Sequence, residues 1–115
     1  MTIPQIILDR SDGDNVCLDF AIDGNLPYFK GHFPGFPILP GIVQLDWAVQ
    51  IASERFGLSV TPREVLKLKF KSVIIPPTEV KLTLSRISPV DVQFEFTSAQ
   101  QQHSSGKLRY AGRDG

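Results

Sequence analysis

The sequence predicts an α+β fold in which an antiparallel β-sheet curls around one long helix. Three observations predict it: an opening pair of strand-like segments, one extended helical stretch, and an unbroken run of strand-like segments to the end. The 115 residues carry no linker-like tract and no repeat, which points to a single domain spanning 1–115.

Ile3 to Leu8 and Asn15 to Ile22 are apolar stretches flanking the polar Asp9 to Asp14, which reads as a hairpin. Gly24 to Gly41 follows, with Pro27, Pro34, Pro37 and Pro40 spread among Tyr28, Phe29, Phe33 and Phe36. That proline density forbids a helix or a central strand, and the aromatic content marks a packed loop of fixed shape. Long ordered loops commonly carry function.

From Pro40 the apolar spacing becomes helical. Ile42, Leu45, Val49, Ala52 and Phe56 form one stripe, with Val43, Trp47 and Ile51 beside it, and Gly57 supplies the stop. Apolar residues on most of the circumference predict a helix enclosed by other structure, the buried axis of the fold. Four strands are predicted after it: Glu64 to Ile75, Glu79 to Ile87, Val90 to Ser98 and Gly106 to Arg113. Pro76-Pro77, Ser88-Pro89 and the polar Gln100 to Ser105 separate them, so His103 reads as a solvated turn residue.

Composition excludes several classes. Acidic and basic residues balance at 12 each, giving no global attraction to nucleic acid or an anionic membrane. Cys17 has no cysteine to pair with, and two histidines plus one cysteine are too few for a protein-only zinc site, so no metal is expected. The N-terminal stretch has acidic residues where a signal peptide has basic ones. No apolar run approaches the roughly 20 residues of a membrane span, so the cytoplasm is the expected address. No phosphate-binding glycine loop, serine nucleophile elbow or nucleic-acid module is present. A chain this short also exposes much of its surface unless it pairs, which hints at an oligomer.

The informative string is Gly31-His32-Phe33-Pro34-Gly35, then Pro37, Pro40-Gly41 and Asp46, the carboxylate falling 14 residues after the histidine. With the later Leu68 to Pro77 segment, it resembles the 3-hydroxyacyl-acyl-carrier-protein dehydratases of the FabZ and FabA kind, a hotdog-fold family. The resemblance runs over roughly residues 15 to 110. It implies that His32 and Asp46 are the catalytic pair, that no cofactor is needed, and that the two come from different subunits of a homodimer.

The residues themselves fit those roles. Asp46 has Ile42, Val43 and Val49 among its helical neighbours, and desolvation there would favour the protonated acid that a departing hydroxyl needs. Neutral imidazole at His32 suits removal of a weakly acidic proton beside a thioester carbonyl. Gly41 at the helix start offers an N–H at the positive end of the dipole, where an enolate oxygen would be stabilised. Each also has a plainer reading: Asp46 as a carboxylate held by a buried hydrogen bond, His32 as a loop histidine bonded to backbone.

Asp46 departs from the widespread members, which carry Glu. It matches a branch that also isomerises its product, but members of that branch are considerably longer. The short length and Gln44-Leu45-Asp46-Trp47-Ala48 look more like the ApeI-type dehydratases of aryl-polyene lipid pathways. Phe33, Pro34, Phe36, Leu39 and Trp47 are candidates to line a substrate channel, though large apolar residues in a small domain serve equally as core. Lys67, Lys69 and Lys71 alternate with Leu66, Leu68 and Phe70, and a regular strand would set the three lysines on one face as a landing strip for an acidic acyl carrier protein. The competing readings are a hotdog thioesterase, which would direct water at the same carbonyl, and a non-catalytic acyl-binding subunit.

Overall fold

The structure, a computed structural model, describes residues 3–23, 38–99 and 101–111. Among these are six strands and one helix: β1 (Gln5–Asp9), β2 (Asn15–Ile22), α1 (Gly41–Phe56), β3 (Glu64–Phe70), β4 (Thr78–Arg86), β5 (Asp91–Ser98) and β6 (Gln101–Arg109). The strands form one sheet, antiparallel throughout, in the order β1-β2-β4-β5-β6-β3.

Alternation decides which face of the sheet takes the helix. Val16, Leu18, Phe20 and Ile22 on β2, Val80, Leu82 and Leu84 on β4, and Val92, Phe94 and Phe96 on β5 all point inward and are buried. The helix answers with Val43, Gln44, Trp47, Ala48, Ile51 and Ala52. Trp47 is the largest side chain in this layer, fully buried, with its ring centroid 6.5 Å from that of Phe96. Truncating such a residue to Ala would cost about 3–5 kcal/mol.

The local chemistry of the turns is consistent with this. Gly13 takes the left-handed φ of 58° in the first hairpin, closed by paired backbone hydrogen bonds between Asp12 and Asn15. Gly57 (φ 65°, ψ 35°) ends α1, its N–H reaching the Ser53 carbonyl. At the other end, Pro40 stands at the N-cap position and no side chain caps the helix among the described residues.

Four expectations need correction. First, α1 is enclosed on one side only: Ile42 is 67% exposed, and Leu45, Asp46 and Val49 are partly open, because the sheet covers just the Val43–Trp47–Ile51 face. Second, β3 ends at Phe70 and does not run to Ile75; beyond it Ile74 bridges to Leu39. Third, β6 begins at Gln101, well before Gly106. β5 ends at Ser98, followed by Ala99 in the left-handed region at φ 46°. His103 is accordingly no solvated turn residue: it is buried on β6 at 3% exposure. Fourth, β3 is not a regular strand. Its register on β6 shifts between Leu66 and Lys69, with Lys67 at φ 54°, a bulge that breaks strict alternation. A similar shift occurs in β1 between Ile6 and Leu8.

Candidate active site

The open side of α1 carries Asp46. Asp46 is half-buried and sits between two grooves. One, about 430 Å³, is walled by Ile42, Leu45, Val49, Val60 and Val65 and is mostly apolar. The other, about 380 Å³, adds Gln50, Ser53 and Glu54 and is more polar. The carboxylate thus stands at the boundary between an apolar slot and a wetter one.

Gly41 borders a third groove of about 510 Å³ with Leu39, Phe70, Ser72, Val73 and His103. Among the described residues no side chain caps this end, which leaves the Gly41 and Ile42 N–H groups to meet an anion or a polarised carbonyl, while Val43 N–H bonds to the Pro40 carbonyl. The Phe70 ring lies over this helix start. Gly41 and Asp46 are five residues apart, which on an α-helix means about 7.5 Å along the axis and a turn of about 140°. Asp46 lines one groove and Gly41 another, with Ile42 bordering both.

The remaining site residues divide as follows. Leu39 is 1% exposed and edges the Gly41 groove from within. Trp47 is packed into the core of the chain. His32, Phe33, Pro34 and Phe36 lie outside the described residues. Lys67 and Lys69 share a concavity of about 340 Å³ on the outer sheet face with Lys107, a residue the alternation of β3 alone does not reveal. Lys71 is separated from them by the shortened β3 and borders the Gly41 groove instead.

A buried polar cluster near Gly41 went unnoticed in the sequence. Gln44 accepts a hydrogen bond from the Ser104 hydroxyl at 2.7 Å, and its amide nitrogen points to the Leu39 carbonyl at 3.5 Å. The signal was present: Gln44, Trp47, Ala48 and Ile51 fall at i, i+3, i+4 and i+7, which puts a polar residue on the core stripe.

The family model for ApeI-like proteins, described as ApeI dehydratase, matches residues 8–107. The chain belongs to the ApeI-like dehydratase family. Among curated proteins it is similar to the 3-hydroxyacyl-acyl-carrier-protein dehydratase FabZ of Streptococcus equi subsp. zooepidemicus, 30% identical over 90 residues, covering 72% of this chain and 64% of that protein. It is also 30% identical over 78 residues to the bifunctional enzyme LpxC/FabZ of Porphyromonas gingivalis, of which it spans only 17%. Among solved structures it superposes on the dehydratase heterocomplex ApeI:P from Xenorhabdus doucetiae with a TM-score of 0.79 at 24% identity, covering 94% of this chain and 97% of that one. The pyran synthase domain from module nine of the sorangicin pathway gives a TM-score of 0.73 at 18% identity, covering 100% of this chain and 42% of that one. These likenesses establish the hotdog architecture for the ApeI-like chain.

Proposed function

We propose that this ApeI-like chain dehydrates (3R)-3-hydroxyacyl thioesters, carried on an acyl carrier protein, to trans-2-enoyl thioesters in fatty-acid or aryl-polyene-type lipid synthesis in the cytoplasm. The observation that carries the reading is Asp46, a half-buried carboxylate at the mouth of an apolar groove on the helix whose uncapped start is Gly41. The thioester carbonyl binds the Gly41 N–H, His32 removes the C2 proton, and the acid protonates the C3 hydroxyl, which leaves as water.

A homodimer completes the site. Within one chain Asp46 and Gly41 turn to different grooves, so a substrate held at one Gly41 needs its acid from a second copy. The exposed Ile42, Val65, Phe70 and Val73 and the free edge of β3 supply the surface that a second copy covers. Lys67 and Lys69, with Lys71 nearer the groove, attract the acidic carrier. Changing all three to Ala lowers turnover of carrier-bound substrate and spares a small thioester; equal loss on both substrates would count against docking.

The reaction is reversible, so hydration of a trans-2-enoyl thioester reports it. Wild-type protein is expected to bleach the conjugated enoyl absorbance, and His32→Ala and Asp46→Asn to abolish this with folding intact. Release of free thiol without hydration would replace the reading with a thioesterase.

A further inference from the structure

His103 is buried, and both of its ring nitrogens are engaged. Nδ1 lies 3.0 Å from the Ser72 hydroxyl oxygen and 3.2 Å from the Ser72 carbonyl oxygen, while Nε2 lies 2.5 Å from the Ser98 hydroxyl. The surroundings assign the tautomer. A carbonyl oxygen only accepts, so Nδ1 carries the hydrogen. The Ser72 hydroxyl agrees, because its own hydrogen goes to the Gln102 carbonyl at 2.8 Å and leaves the oxygen as an acceptor. Nε2 of the neutral ring then accepts from Ser98.

The ring thereby reinforces the hold of β6 on Ser72, just beyond β3, beside the Lys71 N–H to His103 carbonyl bond at 2.9 Å and the Ser72 hydroxyl bond to Gln102. Two residues further on, the Ile74 carbonyl accepts the Leu39 N–H at 2.9 Å. The next residue of β6, Ser104, reaches Leu39 from the other side, through Gln44 to the Leu39 carbonyl. The Leu39 carbonyl is thus linked through Gln44 to Ser104, and its N–H to Ile74, two residues beyond the Ser72 that His103 contacts. Leu39 is followed by the N-cap Pro40 and then Gly41, and it lies seven residues after His32. Fixing Leu39 fixes where the first helical N–H points.

We propose that His103, with Ser104, is the positioning device for the carbonyl-binding end of α1. Through Ser72 and Ile74 it holds Leu39, and through Leu39 it aims the Gly41 N–H at the substrate. The assignment rests on the dehydratase reading above. His103 acts through other residues, so its removal reduces turnover more than substrate affinity.

Two substitutions separate this role from simple packing. In His103→Asn the amide nitrogen takes the place of Nδ1 and keeps the bond to Ser72; in His103→Gln the amide lies at the Nε2 end and the Ser72 bond is lost. His103→Gln is expected to lower kcat for enoyl hydration by about tenfold or more with KM within about twofold, since small misplacements of a bound carbonyl act on the transition state. His103→Asn is expected to restore most of kcat. Amide hydrogen exchange at Leu39 provides a readout independent of activity: it accelerates in His103→Gln and stays near wild type in His103→Asn. Should His103→Gln fail to fold, Ser72→Ala removes the hydroxyl half of the contact while leaving the Ser72 carbonyl, and is expected to lower kcat and speed Leu39 exchange in the same direction but to a smaller degree; an unchanged kcat and exchange there would count against the positioning role. An active His103→Gln enzyme with unchanged kcat and unchanged Leu39 exchange, or a His103→Asn enzyme as impaired as His103→Gln, would overturn the positioning role alone. Absence of hydration by the wild type would instead overturn the dehydratase reading and this assignment with it.

Discussion

The ring of Phe70 lies across Gly41 so closely that a Cβ placed on the glycine would come within 2.6 Å of Phe70 Cε1 and 2.7 Å of Cδ1. The helix start and the end of β3 are thus fitted to each other, and Gly41 is needed for this close approach. Gly41→Ala must push the ring aside. Phe70 is 53% exposed and can yield, so the expected cost is about 1 kcal/mol, at the low end for overpacking. A double-mutant cycle with Phe70→Leu checks the cause: the cost of Gly41→Ala should shrink in that background, and an unchanged cost would rule the contact out.

Val65 borders the same groove as Asp46 and is exposed on the free edge strand. If a second copy covers this face, Val65→Asp buries a charge at the contact and separates the subunits. Sedimentation should then give a folded monomer without hydration activity. A Val65→Asp dimer of full activity would place the interface elsewhere.

Asp9 ties β1 to the end of α1. Its carboxyl is lowered from 3.8 to about 2, first by hydrogen bonding from Ser11 and then by the Arg55 guanidinium, which lies 2.8 Å away. A carboxyl depressed in the folded state contributes stability above its unfolded value of 3.8 and loses it as pH falls toward 2. The gap in thermal midpoint between wild type and Asp9→Asn should therefore be present at neutral pH and close across that acid window. A gap independent of pH would show that the carboxylate charge is not its source.

Tyr110 has the opposite sign. It is buried, its hydroxyl lacks a hydrogen-bond partner among the described residues, and burial raises its pKa from 10.0 to about 12. The unfolded chain ionises first, so this contribution is intact below pH 10 and is lost as pH rises through 12. Tyr110→Phe should match the wild type at neutral pH and unfold at higher pH in an alkaline titration. Identical alkaline midpoints would assign the loss to other groups.

How far the sequence carries can be judged from particular segments. The β2 boundaries and the stop of α1 at Gly57 were legible because they rest on alternation, 3.6-residue spacing and a glycine in the left-handed region, all local. The start of β6 was not. Gln101 to Ser105 is polar, and it is strand because His103 and Ser104 find partners on segments about 30 and 60 residues distant in the chain, where local propensity has no say. The Lys67 bulge was likewise hidden, since Leu66 to Phe70 alternates cleanly as written while the backbone shifts register. Of the candidate site, motif spacing points to Asp46 and Gly41, and the structure adds the grooves that each of them lines. The open face of α1 was misjudged because apolar spacing marks a surface that seeks cover without saying whether this chain or another provides it.

The irregularities in β1 and β3 acquire meaning from their place in the sheet, for these are its two outer strands. A straight outer strand would be a template on which any extended peptide could polymerise. Here both margins are kinked, and one of them carries alternating lysines, so only a strand with a matching kink can dock in register. A freshly made chain is thereby shielded from runaway fibril growth, and straightening either margin should show itself first as aggregation during expression.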